Sequence, residues 1–271
     1  AQYFGQQAFA KCTRVLTQGL LLCAAGTPQL LAIGYLVLDL FTIMGHAPDQ
    51  IALEERYFLI LIHGAVITLV KTCFGSYFSG IGRTRYVMIA DVLSVTFNIP
   101  LTWLLVFGAG PVPALGIAGA AWATVISGAF GVGVFIAFYC AREHRTRFEV
   151  AQSLRLDVGI LRRWLRLGVP AGVESFLNVA AFNLFLLMFQ SYGVAESASA
   201  AIVFNWDILS FVPMLGLNVA IISLVGRYVG AGEAARMREV VRAAFVMGIG
   251  YSSVLALVFF FARVPLVALF L

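Results

Sequence analysis

The sequence predicts an all-α membrane protein in which membrane-spanning helices form two pseudo-repeated lobes. The first observation is composition, since 61% of the 271 residues are hydrophobic and only 11% are charged, with a mean hydropathy of +0.95. A soluble domain needs a far more polar surface than this. The second observation is a series of seven long apolar stretches. The third is an internal repeat whose two copies start on the same side of the membrane.

The seven apolar stretches are each long enough to cross a hydrocarbon core, which takes roughly 20 helical residues. Lipid cannot satisfy backbone N–H and C=O groups, so each stretch is predicted to be helical. The alternating ten-residue pattern of a membrane barrel does not occur in the sequence. The stretches are residues 15–44, 57–80, 86–107, 115–140, 165–190, 198–224 and 243–271.

The basic residues indicate the orientation of these spans. Fifteen of the 18 fall in alternate connections, whereas the intervening connections carry acidic residues and only Arg56. Positive loops stay in the cytoplasm, so the chain start is predicted to be cytoplasmic, in a bacterial inner membrane. The fifteen are Lys11, Arg14, Arg83, Arg85, Arg142, Arg145, Arg147, Arg155, Arg162, Arg163, Arg166, Arg227, Arg236, Arg238 and Arg242.

The four cysteines, at positions 12, 23, 73 and 140, are far apart in the sequence and form no Cys-x-x-Cys pair. Free cysteine behaves as a small apolar residue. The cysteines are therefore interpreted as packing residues, and the spacing predicts neither a disulfide nor a bound metal.

The longest connection, residues 141–164, is predicted to separate an N-terminal lobe of four spans (1–140) from a C-terminal lobe of three (165–271). Its six arginines, with Arg166 just beyond it, accompany an apolar face formed by Leu154, Val158, Leu161 and the adjacent Leu165. That spacing indicates an amphipathic helix at the inner membrane interface. A solvated basic linker is the alternative.

The internal repeat aligns residues 2–15 with residues 227–240 at a constant offset of 225. Both copies end one span, turn at a glycine and enter the next span through a basic stretch, which indicates a parallel repeat. Extending the offset predicts two more spans before residue 1 and three after residue 271, so this chain would carry helices three to nine of about twelve. The identical pairs are Tyr3/Tyr228, Gly5/Gly230, Ala10/Ala235 and Val15/Val240.

Five segments carry a family resemblance through their order and spacing: YFSGIGRTRYVM (77–88), NIPLTWLLVFG (98–108), ALGIAGAAWAT (114–124), LGVPAGVESFLNVAAF (167–182) and SFVPMLGLNVAIISLVGRYVGAG (210–232). Together with the parallel repeat they resemble the multidrug and toxic compound extrusion (MATE) family of drug/cation antiporters. The resemblance covers essentially the whole chain and implies two bundles around a central cavity. Independently, Gly119, Ala123, Ser127 and Gly131 form a small-residue ladder that predicts close helix packing.

Four ionisable residues inside the predicted spans need a reason to be there: Lys71, Glu174, Asp207 and, nearer a span end, Asp91. Each costs about 2.5–3.5 kcal/mol near the bilayer centre on insertion scales. Asp91 is assigned to water at the inner end of its span. The resemblance places the spans of Glu174 and Asp207 beside the cavity, so these carboxylates are predicted to bind the coupling cation or a cationic substrate. A static ion pair between one of them and Lys71 is the alternative.

Four neutral residues complete the candidate set. Asn178 shares a helical face with Glu174, and Asn205 lies two residues before Asp207. Some members of the resembled family have an acidic residue where this chain has Thr102, four positions after Asn98, and others have one at Asn178. Those carboxylates are absent here, although the side-chain oxygens of these residues can still coordinate a cation. Pro170 and Pro213 are predicted to interrupt the two spans that carry Glu174 and Asp207.

The favoured function is a proton- or sodium-coupled antiporter that exports organic, often cationic, compounds by alternating access. The coupling ion would serve in place of a cofactor. The predicted partners are a small organic substrate and membrane lipid, with no nucleic acid, and the chain is expected to be a monomer. A lipid-linked oligosaccharide flippase of the same superfamily is the alternative, and an intramembrane enzyme is a remote one because no His-Glu-x-x-His or Gly-x-Ser-x-Gly motif occurs.

Overall fold

The computed structural model describes residues 1–43, 48–150, 153 and 155–268. Helices make up nearly all of this described part. They are α1 Gln2–Gly5, α2 Phe9–Ile43, α3 Pro48–Gly80, α4 Thr84–Phe107, α5 Ile117–Cys140, α6 Arg142–Arg147, α7 Val158–Tyr192, α8 Val194–Ala231, α9 Ala234–Phe261 and α10 Arg263–Ala268.

Within the described residues, seven helices are long and apolar enough to cross a membrane. They are α2, α3, α4, α5, α7, α8 and α9, which confirms the seven predicted spans. The seventh ends earlier than predicted, at Phe261, and α10 follows it. The physical reason is Pro265, which has no N–H to donate to the carbonyl four residues earlier, that of Phe261.

The chain folds into two compact units. The N-terminal unit is Gln7–Leu161, and the C-terminal unit is formed by Ala1–Gln6 together with Arg162–Leu271. The first six residues therefore pack with the second half of the chain. The lobe boundaries drawn from the sequence remain a prediction.

The N-terminal unit packs α5 against α3 and α4. The predicted ladder of small residues is buried along α5. A Cβ on Gly119 would overlap the backbone carbonyl of Leu105 in α4, and a Cβ on Gly64 of α3 would overlap the side chain of Val125. Close approach between these helices therefore requires glycine, which confirms the packing that the ladder predicts.

The connection after α5 differs from the predicted amphipathic helix. In its described part only Arg142–Arg147 is helical before α7 begins at Val158, and Leu154 lies outside the described residues. The carboxylate of Asp157 accepts a hydrogen bond of 3.1 Å from the backbone N–H of Ile160. This side-chain bond satisfies a first-turn donor of α7 and explains why a new helix starts there.

The same connection covers one end of the N-terminal unit. Thr13 donates a 3.1 Å hydrogen bond to the carbonyl of Phe148, and Gln18 donates one of 3.0 Å to that of Arg155. His144 is 1% exposed and its Nε2 lies 2.9 Å from the hydroxyl of Tyr77. The start of α2, the end of α3 and the basic connection therefore meet at one end of this unit.

The internal repeat is visible in the C-terminal unit, where α1 packs against the last turns of α8. A Cβ on Gly5 would overlap the carbonyl of Arg227, and a Cβ on Gly230 would overlap the carbonyl of Gln2. Under the offset of 225, Gly5 is equivalent to Gly230 and Gln2 to Arg227. The equivalent segments lie side by side at the same end of the unit, which confirms a parallel repeat.

The turn that follows each copy of the repeat also has the same backbone conformation. Gln7 has a φ of +58° between α1 and α2, and Gly232, its equivalent, has a φ of +75° between α8 and α9. One left-handed residue thus breaks the chain between two helices in both copies.

Candidate functional site

The polar residues inside the spans form separate groups in the two units. In the N-terminal unit, Ser94 donates a 2.7 Å hydrogen bond to the carbonyl of Ser127 on α5. The amide nitrogen of Asn98 donates to the hydroxyl of Ser127 at 3.0 Å. Thr102 donates to Oδ1 of Asn98 at 3.4 Å. Two of the predicted site residues, Asn98 and Thr102, are thus brought together on one face of α4.

Lys71 of α3 forms an ion pair with Asp91 of α4, with 2.9 Å between Nζ and Oδ1. The ion pair lies beside the same ladder, because a Cβ on Gly131 would be 3.1 Å from both Cε of Lys71 and Oγ of Ser94. This ion pair lies within the N-terminal unit and lowers the cost of each charge in lipid. It contradicts the alternative in which Lys71 pairs with Glu174 or Asp207. The side chain of Asp91 is 51% exposed, so its assignment to water at the inner end of the span stays a prediction.

In the C-terminal unit, α7 presents Glu174 and Asn178 one turn apart. The amide nitrogen of Asn178 donates a 3.0 Å hydrogen bond to the backbone carbonyl of Glu174. That bond leaves the amide oxygen of Asn178 as an acceptor. Both side chains are exposed. Pro170 lies within the helix, so the predicted break is accommodated without ending α7.

On α8, Asn205 and Asp207 are two residues apart, so unlike the pair on α7 their side chains lie on different faces of the helix. The amide nitrogen of Asn205 donates to the carbonyl of Ala201 at 2.8 Å, and the Asp207 side chain is exposed. Pro213 also lies inside a continuous helix. Beside it, the hydroxyl of Tyr251 on α9 donates a 2.7 Å hydrogen bond to the carbonyl of Ser210, so a neighbouring helix supports the backbone next to the proline.

Glu174 and Asp207 both lie well away from the turn that joins their helices. α7 and α8 are joined at Gly193, and at 1.5 Å per residue Glu174 is roughly 28 Å, and Asp207 roughly 21 Å, along its helix from that turn. Near the turn, Phe204 of α8 contacts three phenylalanines of α7, at positions 182, 185 and 189. Among the described residues, neither carboxylate has an ion-pair partner, and no hydrogen bond joins the α7 pair to the α8 pair.

The polar residues of the two units differ in the chemistry that is open to them. In the N-terminal unit the hydroxyl and amide groups bond to one another and the charges neutralise each other, so they act as internal structure. In the C-terminal unit two carboxylates are exposed, and one of them, Glu174, shares its helical face with the amide oxygen of Asn178; carboxylate and amide oxygens can accept protons or coordinate cations.

Sequence reasoning missed several participants. Ser94 looks like one more small residue of an apolar stretch, and only the position of α5 shows that it bonds Ser127. Nothing in the sequence signals the burial of His144, since it lies in the arginine-rich connection. Asp91 was recognised as intramembrane, but its partner depends on how α3 and α4 are rotated.

A helical chain with seven candidate membrane spans, a parallel internal repeat and carboxylates inside the spans belongs to the class of polytopic α-helical membrane proteins. The chain belongs to the MatE family, since residues 1–104 and 170–271 both match the model of that family. This confirms the resemblance described from the sequence motifs.

Curated relatives carry multidrug resistance names. The chain is 30% identical over 282 residues to a probable multidrug resistance protein NorM of Aromatoleum aromaticum, which covers 100% of this chain and 58% of that protein. It is 28% identical to a probable NorM of Thermotoga maritima over 80% of the chain and 46% of that protein. The chain thus spans about half to three-fifths of the length of these relatives.

Solved structures agree in fold. A MOP superfamily transporter from Pyrococcus furiosus matches with a TM-score of 0.80 at 23% identity, over 99% of this chain and 64% of that one. An outward-facing multidrug resistance MATE family transporter matches with a TM-score of 0.81 at 22% identity, over 99% and 62%. At this level of identity the likeness concerns the fold.

Proposed function

We propose that the protein exports organic compounds, cationic ones above all, in exchange for an inward-moving proton or sodium ion. The observation that carries this proposal is the pair of carboxylates, Glu174 and Asp207, which lie inside consecutive spans. Glu174 shares a helical face with Asn178, and neither carboxylate is neutralised by a basic residue within the described part of the chain. The multidrug resistance names of the relatives support the substrate class.

Exchange follows from competition for the same negative charge. A carboxylate that has bound a proton or sodium ion has less attraction for an organic cation, so each species favours release of the other. Alternating access then requires that one occupied form stabilise the inward-open state and the other the outward-open state. Asn178 and Asn205 would contribute neutral oxygen ligands.

The orientation in the membrane is part of the proposal. The basic end of the N-terminal unit, where α2 begins and α3 ends, would face the cytoplasm under the positive-inside rule. The protein would then lie in a bacterial inner membrane with its chain start inside. The flippase alternative receives less support, because the phosphates of its substrate call for free basic groups and Lys71 is already paired with Asp91.

The test is efflux of a fluorescent cationic dye from cells that make the full-length protein, under imposed proton or sodium gradients. Glu174→Gln and Asp207→Asn should each remove most of the efflux at a normal level in the membrane. Glu196→Gln is the matched control, since this exposed glutamate lies in the first turn of α8, and it should behave as wild type.

The gradient that restores efflux after de-energisation identifies the coupling ion. Wild-type efflux in the Glu174→Gln/Asp207→Asn double variant would contradict the proposed site. Absence of dye efflux in the wild type, with normal insertion, would contradict the proposed substrate class.

A further inference from the structure

Two cysteines that are 50 positions apart in the sequence meet between α2 and α3. The sulfur of Cys23 lies 3.4 Å from the sulfur of Cys73, and both thiols are free and partly buried. α2 and α3 also approach each other closely about three turns further along α2, since a Cβ on Gly34 of α2 would be 2.6 Å from Cγ1 of Ile62 on α3. The packing of the two helices therefore keeps the thiols in contact.

We propose that Cys23 and Cys73 form an oxidation site that closes to a disulfide when the protein meets a lipid-soluble hydroperoxide. One thiol attacks the O–O bond and becomes a sulfenic acid, while the hydroperoxide leaves as an alcohol. The second thiol then attacks the sulfenic sulfur, the S–S bond forms and water leaves. Each hydroperoxide thus takes up the two electrons that the two thiols lose.

The position of the two thiols inside an apolar span favours a lipid-soluble oxidant. Cys73 is roughly 10 Å along α3 from the helix end at Gly80, within an apolar span that also contains Ile67 and Leu69. Water-soluble thiols such as glutathione do not enter such a layer, whereas hydroperoxides of fatty acyl chains form in it. A disulfide formed there would also be shielded from cytosolic reductants.

The other two cysteines lack this arrangement. Cys12 is buried and its sulfur faces the carbonyl of Ala8 at 3.6 Å, and Cys140 is exposed at the end of α5. Within the described residues, the contact between Cys23 and Cys73 is the one contact between two sulfurs. Reaction of a sulfenic acid with a thiol at this distance should give a crosslink before sulfinic acid forms.

The experiment uses the chain with Cys12→Ser and Cys140→Ser, embedded in lipid vesicles and treated with cumene hydroperoxide. Free thiols, counted after denaturation, should fall from two per chain to near zero and return after dithiothreitol. Trypsin cuts after Arg56 and Lys71, so the disulfide should join peptides 15–56 and 72–83 with a loss of two hydrogens.

A matched variant keeps Cys12 and Cys73 by means of Cys23→Ser and Cys140→Ser, and it should show no crosslink at the same oxidant dose. A thermal unfolding curve identifies variants that fail to fold, which are replaced by alanine substitutions at the same positions. Sulfinic acid on either peptide without the crosslink, or equal crosslinking in the matched variant, would overturn the proposal.

Discussion

The N-terminal and C-terminal units are built on one repeated plan but treat polar groups differently. In the N-terminal unit Ser94, Asn98 and Ser127 bond one another across α4 and α5, and Lys71 is neutralised by Asp91. In the C-terminal unit the amides bond only their own helices and the carboxylates are exposed. The comparison teaches that similar polar residues bond between helices in one unit and stay within their own helices in the other.

The largest expected effect concerns the tight packing of the N-terminal unit. Gly119→Ala introduces a Cβ into the backbone of Leu105, and such overpacking costs about 1–3 kcal/mol. The unfolding temperature in detergent should fall. Gly133→Ala on the same helix is the control, because a Cβ there meets nothing within 4 Å. Equal unfolding temperatures for the two variants would show that α4 and α5 do not pack as described.

The next effect tests the contact between the two copies. Gly5→Ala and Gly230→Ala should each loosen α1 from α8 at a cost of about 1 kcal/mol. The double variant should cost less than the sum, because α1 separates from α8 only once. Hydrogen exchange at the amides of residues 2–5 reports the separation. Gly250→Ala, with open space around its Cβ, should leave that exchange unchanged.

A smaller effect compares polar groups directly. Ser94→Ala removes a buried hydrogen bond between helices and should cost about 1 kcal/mol. Asn205→Ala removes a hydrogen bond within one exposed helical turn and should change stability by less than about 0.5 kcal/mol. Thermal unfolding of the two variants gives both values. A larger loss from Asn205→Ala would reverse the structural roles assigned to the two units.

The smallest effect concerns the two left-handed residues. Gln7→Gly should stabilise the chain by about 0.5 kcal/mol, because glycine relieves a strained φ but adds freedom to the unfolded chain. Gly232→Gln should destabilise by a similar amount. Unfolding curves that shift in the same direction for both variants would contradict the equivalence of the two turns.

Much of the fold could be predicted because hydropathy, loop charge and repeat offset are properties of the sequence itself. The seven spans and the ladder from Gly119 to Gly131 follow from length and spacing alone. The pairing of Lys71 with Asp91 could not be predicted, since it depends on the rotation of two helices about their axes. The burial of His144 was hidden because the surrounding arginines indicate a solvated segment.

The candidate site was predicted only as a set of residues. Asn98 and Thr102 are bonded in the structure, but sequence spacing alone does not show that Ser127 from the next helix completes their network. Glu174 and Asp207 were identified by the energetic cost of charge in lipid. Which cation they bind stays a prediction, because a carboxylate accepts several.

The glycine contact between α1 and α8 has the form of a two-fold dimer interface, in which residue i meets residue j and the equivalent of j meets the equivalent of i. Here one polypeptide contains both halves. Covalent linkage frees the halves to diverge, as a homodimer cannot: Arg227 stacks over Phe4 at 5.2 Å, whereas the equivalent position holds Gln2, which has no charge. Asymmetry can thus evolve within a contact whose backbone is pseudo-symmetric.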